Sequence, residues 1–339
     1  MAEIVLGLAA SHSPLLTIDW GEWQHRAQAD LSNDKLNLSD GRFVSYAQLQ
    51  AERGDAYAAI ATPQAFESAA VRCQAGLDRL ADALLTAAPD IVMVIGDDQG
   101  ELFPLSNTPA ISVYYGAEIA TNDVWGRDDK PAWMHQMARG YAMDRVHRFP
   151  GAPELAREVI TGLIRRHVDI GAASKVDDPV KAGFGHAFGF VAERLFRDRA
   201  IPMLPVLLNT YFPPNVMTAA RAFDIGRLLR SAIEDSPSDA RVAVVASGGL
   251  SHFVVDEELD RRVLAGLEPG AGDLLRSIPP EALNSGSSEI LNWVMTAGAA
   301  DHLPLSWTEY EPIRRTPAGT GIGVGFAAWG ASPAGNPGA

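Results

Sequence analysis

In α/β folds ligands gather outside the carboxyl ends of strands, so polar side chains that directly follow an apolar run have the first claim on chemistry. Three such places occur: Ser11-His12-Ser13-Pro14, Gly96-Asp97-Asp98-Gln99, and Ser247-Gly248-Gly249-Leu250-Ser251-His252. A lone histidine at a strand end suits a structural hydrogen bond, but two with acids between them point to a functional site. His186 lies in Gly183-Phe-Gly-His-Ala-Phe-Gly-Phe190, where glycines allow close backbone approach and phenylalanines could wall an apolar pocket. The plainer reading of His186 is a turn with a solvent-facing imidazole. Glu289 follows Asn284-Ser-Gly-Ser-Ser288 and opens a helical stretch, a place where the helix dipole alone favours a carboxylate. Gly286 stands where a capping hydroxyl would be needed, so a hydroxyl capping box does not explain Glu289.

Other chemistries find little footing. Gly248-Gly249 belongs to neither GxGxxG nor GxxxxGK[ST], and no Lys or Arg lies near it in sequence. The glycines from Gly319 to Gly325 read as a Gly-rich strand rather than as a dinucleotide turn. The Gly-x-Ser-x-Gly elbow of acyl transfer is absent around Ser285.

The elements that must position these residues follow from hydrophobic pattern. Apolar runs at 3–9, 90–96, 201–208 and 241–247 predict buried strands, and 321–329 a fifth, Gly-rich one. Apolar residues at three-to-four spacing predict helices over 62–88, 152–167, 216–235 and 288–300. This alternation predicts an α/β fold, a single domain with a mostly parallel central sheet flanked by helices. The expected domain spans 1–330, with an insertion at 17–61 over the sheet edge and a flexible tail at 331–339. The irregular stretch 115–150, which carries Trp125, Trp133, His135 and His147, is a second candidate wall for an active site.

Composition sets the outer bounds. The chain has 339 residues, 47% of them hydrophobic, enough for a large packed core. Its 28 Lys and Arg against 42 Asp and Glu give a formal charge of −14, which repels nucleic acid and anionic membranes. The beginning MAEIVLGLAASHSP reads as a first strand rather than a secretory leader or membrane span, and the single Cys73, read as a small buried helix residue, suits a reducing compartment. A cytoplasmic location is expected.

Taken in order, Ser11-His12-Ser13-Pro14, Gly-Asp-Asp-Gln99, Gly-His186, Ser247-Gly-Gly-Leu-Ser-His252 and Ser285-Gly-Ser-Ser-Glu289-Ile-Leu-Asn-Trp293 resemble the LigB-type class III extradiol dioxygenases, from about residue 3 to about residue 329. The resemblance implies a non-haem oxidoreductase of aromatic compound catabolism, which opens a substituted catechol beside its hydroxyls with Fe(II) and O2; Mn(II) accepts the same ligands. It implies His12 and Glu289 as metal ligands and His186 with His252 as an acid/base pair. A homodimer is the default assembly.

One position departs from the family. Where its members carry a second metal-binding histidine, this chain has Gln99, whose neutral amide is a weaker ligand. Gln99 is taken as the third metal-site residue, with lower iron affinity expected unless Asp97, Asp98 or a histidine from elsewhere fills the gap; His25 and His167 read as surface residues. Two other readings stay open: a relative that has lost catalysis and binds a ligand or partner, and a metal-dependent hydrolase that activates water with the same ligands. Arg26, Arg53, Arg127 and Arg145 are candidate clamps for a substrate carboxylate, although each alone also suits a solvated surface.

Overall fold

The computed structural model describes residues 1–125 and 129–330; Arg127 and the 331–339 tail lie outside the described residues. Nine strands form the main sheet: β1 (Glu3–Ala10), β2 (Ile91–Asp97), β3 (Ile111–Tyr114), β4 (Gly171–Ala173), β5 (Met203–Leu208), β6 (Arg241–Ser247), β7 (His252–Val254), β8 (Leu305–Arg314) and β9 (Thr320–Trp329). Their order across the sheet is β7-β9-β1-β6-β2-β5-β3-β4, with β8 also paired to β9. The central run β1-β6-β2-β5 is parallel throughout, whereas β9 joins β1 antiparallel and β3 joins β5 antiparallel. The sheet is therefore mixed, with a parallel centre as expected.

The centre is parallel because its strands are apolar on both faces. Along β2, Met93 and Ile95 enter one core cluster while Val92 and Val94 enter the other; along β6, Val242 and Val244 part from Ala243 and Val245 in the same way. Period-two alternation of side chains therefore feeds a core on each side of the sheet. The first core is covered by α3 (Pro153–Arg165), α5 (Ala219–Glu234) and α6 (Ile290–Ala300); the second by α2 (Pro63–Ala87) and α4 (His186–Leu195). Thr62 caps α2 through the Ala65 amide with Pro63 in its first turn, and Thr218 caps α5 through Arg221, the start signals that a helix requires. Cys73 is fully buried on α2.

The segment after β1 carries α1 (Trp23–Leu31), a short hairpin pairing Leu36–Asn37 with Phe43–Val44, and the helix Tyr46–Arg53. Trp23 anchors α1 by burying its ring and donating its Nε1 to the Leu15 carbonyl at 3.0 Å. Seven residues on, the buried Asp30 receives both the Nε and a terminal nitrogen of Arg315. Trp23 and Asp30 lie on one helical face, which both anchors turn toward the sheet.

Sequence pattern missed β3, β4, β7 and β8. The first three are only three or four residues long, β4 and β7 at the two edges of the sheet and β3 next to β4, and β8 is half-buried and interrupted by charged residues, so none carries the continuous apolar signal of the centre. His186 opens α4 rather than sitting in a turn.

Candidate metal and active site

The carboxyl ends of β1, β6 and β2 lie side by side, and each delivers a polar side chain to one point. His12 stands two residues beyond β1, Ser247 ends β6 and Asp97 ends β2. Glu289 arrives from a single 3-10 turn, Ser285–Glu289, that leads into the wholly buried α6, and His186 from the first position of α4. One ligand atom from each of His12, Asp97, His186 and Glu289 lies within 4.8 Å of all the others. These four side chains are among the buried ones, exposing between 1% and 8% of their surface.

The hydrogen bonds around His12 determine its tautomer. Ser247 Oγ donates to the Ala187 carbonyl at 2.7 Å, so it accepts from His12 Nδ1 at 3.0 Å. The opposite nitrogen, Nε2, is buried and makes no hydrogen bond, yet Glu289 Oε2 lies 3.0 Å and Asp97 Oδ1 4.0 Å from it. A lone pair facing two carboxylates asks for a cation between them. Two donors held at about 2.1 Å from one ion at roughly a right angle stand about 3 Å apart, so the spacing fits, and mixed N and O donors suit a divalent transition metal. Tyr141 further fixes this residue by donating its hydroxyl to the His12 carbonyl at 2.5 Å.

Gln99 reaches the same point differently. Its amide nitrogen donates to Asp97 Oδ2 at 2.9 Å and to Glu289 Oε1 at 3.2 Å, so it bridges the two carboxylates as a donor. Asn292 holds Asp97 from the other side at 3.1 Å, and the Gly249 amide donates to Glu289 Oε2 at 2.6 Å. Burial and the neighbouring Glu289 raise the Asp97 pKa, while for Glu289 burial is outweighed by His12 and His252, which hold its carboxyl below the usual range. Asp98 points away and accepts the Leu102 and Phe103 amides at 2.8 and 2.9 Å, a turn-forming role.

The two remaining histidines have opposite electrostatics. His186 Nδ1 lies 2.5 Å from Glu101 Oε1; burial disfavours its charged form, but Glu101, Asp97 and Glu289 outweigh that and push its pKa up to about 10. His252 donates Nδ1 to the Leu250 carbonyl at 2.8 Å, and burial lowers its pKa, leaving a neutral ring with Nε2 as the free acceptor. Two glycines make room for this imidazole: a Cβ on Gly249 would stand 1.9 Å from its Cε1, and one on Gly286 2.6 Å from its Cβ. Asn37 from the hairpin secures the loop by accepting the Phe253 amide and donating to Ser287 Oγ, which itself bonds both backbone groups of His252.

His12, His186, Gln99, His252 and Glu289 all line one cavity of about 280 Å³. Both irregular stretches supply walls, the first through Arg26 and the second through Trp125 and Tyr141. Among the other arginines, Arg53 and Arg145 do not line it. His25 is a surface residue stacked on Trp133 and paired with Glu22, and His167 is exposed. Glu101 escaped sequence reasoning although it ends the polar run begun at Asp97, and Tyr141 carried no local signal at all.

The comparisons agree with this geometry. The sequence profile of the catalytic LigB subunit of aromatic ring-opening dioxygenase matches residues 63–321, which include Asp97, Gln99, His186, His252 and Glu289, while His12 precedes the match. The chain is also similar to gallate dioxygenase of Pseudomonas putida, 37% identical over 83 residues that make up 24% of this chain and 23% of that relative. The chain thus spans under a quarter of that relative's length in the match. With about three quarters of its length matched by one profile, and that profile's stretch carrying most of a buried site able to hold a metal, the chain belongs to the LigB family of aromatic ring-opening dioxygenases.

Proposed function

We propose that this protein is an extradiol dioxygenase of class III that uses Fe(II), or Mn(II), to open a substituted catechol with O2. The observation that carries the reading is His12 Nε2, buried without a hydrogen bond and facing Glu289 and Asp97 at the rim of the cavity. His12, Glu289 and Asp97 would hold the metal, with Asp97 making good the histidine absent at Gln99. When bound, the metal supplies the redox centre that brings catechol and O2 together and lowers the catechol pKa.

The chain's own groups divide the proton work. Neutral His252 accepts a proton from a catechol hydroxyl through its free Nε2. His186, held as imidazolium by Glu101, donates a proton to the oxygen released as the O–O bond breaks. The carbon–carbon bond next to a hydroxyl opens, and both atoms of O2 enter the product. The Gln99 amide, bonded to both carboxylates, keeps them at their mutual spacing before the reactants arrive.

The test is anaerobic Fe(II) loading followed by oxygen-electrode and absorbance assays against catechol, protocatechuate, gallate and 3-O-methylgallate. Oxygen uptake with a yellow ring-opened product is the expected result. Metal retained without uptake on any of them favours the hydrolase reading, and failure to bind metal favours a relative that has lost catalysis.

A further inference from the structure

Asp260 is wholly buried and lies outside the cavity, yet it turns its carboxylate onto the loop that ends at His252. It sits on the helix Glu257–Ala265. Its Oδ1 accepts the Ser251 backbone N–H at 2.8 Å, and its Oδ2 accepts the hydroxyls of Ser251 and of Tyr310 on β8, both at 2.7 Å. Gly323 on β9 makes the space, since a Cβ there would stand 2.0 Å from Oδ2. Burial pushes the Asp260 pKa up to about 6 against the Ser251 and Tyr310 hydrogen bonds, so the group is mostly ionised at neutral pH.

The Ser251 N–H belongs to the same peptide group as the Leu250 carbonyl, and that carbonyl accepts the His252 Nδ1–H at 2.8 Å. A line of hydrogen bonds therefore runs from the carboxylate through one peptide unit to the imidazole. Gly323 holds that unit in its plane from both flanks: its carbonyl accepts the Leu250 N–H at 3.3 Å, and its N–H donates to the Ser251 carbonyl at 3.0 Å. A planar amide between an anion and a donor is polarised by both, and each bond strengthens the other.

We infer that Asp260 is a positioning residue for His252, acting through the Leu250–Ser251 peptide to keep the imidazole proton on Nδ1 and Nε2 free as the base. The use of that base rests on the ring-cleavage reading, whereas the tautomer does not. When Nε2 takes the catechol proton the ring becomes a cation, and the polarised Leu250 carbonyl faces the new charge. No proton crosses the peptide. A carboxylate bonded directly to an imidazole Nδ1–H fixes the tautomer and stabilises the imidazolium; here one peptide unit stands between the two groups.

The experiment is nitrogen NMR of the full-length protein, isotopically labelled at histidine and loaded with zinc as a diamagnetic ion. His252→Gln identifies the His252 signals among the eight histidines. Wild type should show a protonated Nδ1 and a bare Nε2. Asp260→Asn keeps the shape without the charge: the Nδ1 proton should move upfield, and kcat should fall about 10-fold with KM unchanged. Asp260→Ala should populate the Nε2–H tautomer and lose about 100-fold in kcat, with thermal melts verifying the fold of each variant. Ser251→Ala retains the peptide N–H and should keep the wild-type tautomer. An unmoved Nδ1 proton in Asp260→Asn, or a tautomer change in Ser251→Ala as large as in Asp260→Ala, would overturn the assignment. Kinetics follow oxygen uptake by the iron-loaded variants on the four catechols named above. A wild type without uptake, whose His252 signals still respond to Asp260 as expected, would retain the link and remove the ring-cleavage reading.

Discussion

His186 is gripped by Glu101: its Nδ1 stands 2.5 Å from one carboxylate oxygen while the other accepts the backbone N–H of Gln99 at 2.8 Å. Gly185 permits this approach, since a Cβ there would stand 2.2 Å from the Glu101 carboxyl carbon. One carboxylate therefore sets the charge of the proposed acid and the path of the strand end that carries Gln99.

Glu101→Gln tests that link. Glu101 is the largest influence raising the His186 pKa to about 10, so its loss lowers that pKa and moves the alkaline limb of the kcat profile to lower pH. In stability the sign follows from tighter proton binding in the folded state: the His186 contribution is complete below its unfolded value near 6.5 and is lost as pH rises through about 10. Wild-type Tm should fall across that window, and the variant should show a flatter decline. An unchanged alkaline limb would count against Glu101 as the partner.

Gly249→Ala should displace the His252 ring, because the new methyl would lie 1.9 Å from Cε1. Kcat is expected to fall by about 100-fold or more, the scale of a lost general base. Overpacking should cost about 1–3 kcal/mol of stability. Kinetics beside a thermal melt separates the two effects, and near-normal kcat would refute the cradle.

Metal content distinguishes the histidines. His12→Ala and Glu289→Ala should lose bound metal, whereas His252→Ala should keep it and lose turnover. Added Fe(II) or Mn(II) at about 100 times its Kd should stabilise the wild type by about 2.7 kcal/mol and do little for His12→Ala. Metal analysis and anaerobic melts decide this without any activity assay.

Asn37→Ala removes the acceptor of the Phe253 amide and a donor to Ser287. Groups left unpaired by the change cost about 1–3 kcal/mol each when buried. Kcat should fall, since Asn37 secures the loop that carries His252 and, through Ser287, the turn that ends at Glu289; metal analysis separates the two effects. A variant with wild-type kcat and Tm would show that the hairpin is a passive cover.

Central strands were legible because β2 and β6 are apolar on both faces, a pattern that survives without tertiary information. The strand-end rule then located His12, Asp97, Gln99 and His252, the local sequence singled out His186 and Glu289, and the family resemblance gave these two their roles. Glu101 and Tyr141 stayed hidden for a physical reason: each acts through a tertiary contact, Glu101 with His186 at the start of α4 and Tyr141, packed against α4, with the His12 carbonyl. Gly189 shows how close that packing is, since a Cβ there would meet the Tyr141 carbonyl at 1.8 Å. Which of Arg26, Arg53 and Arg145 lines the cavity is likewise a property of the surroundings, and sequence alone could not rank them; Arg127 lies outside the described residues.

The position of β1 has a consequence for how the protein comes into being. β1 is made first but lies inside the sheet, between β6 and β9, which leave the ribosome more than 230 residues later. His12 therefore waits for Ser247 to orient it and for Glu289 to face it, so a nascent chain holds no finished pocket until Glu289 has been synthesised. A premature stop anywhere before β9 then yields a chain without the strand that walls β1 in, rather than a weakened enzyme.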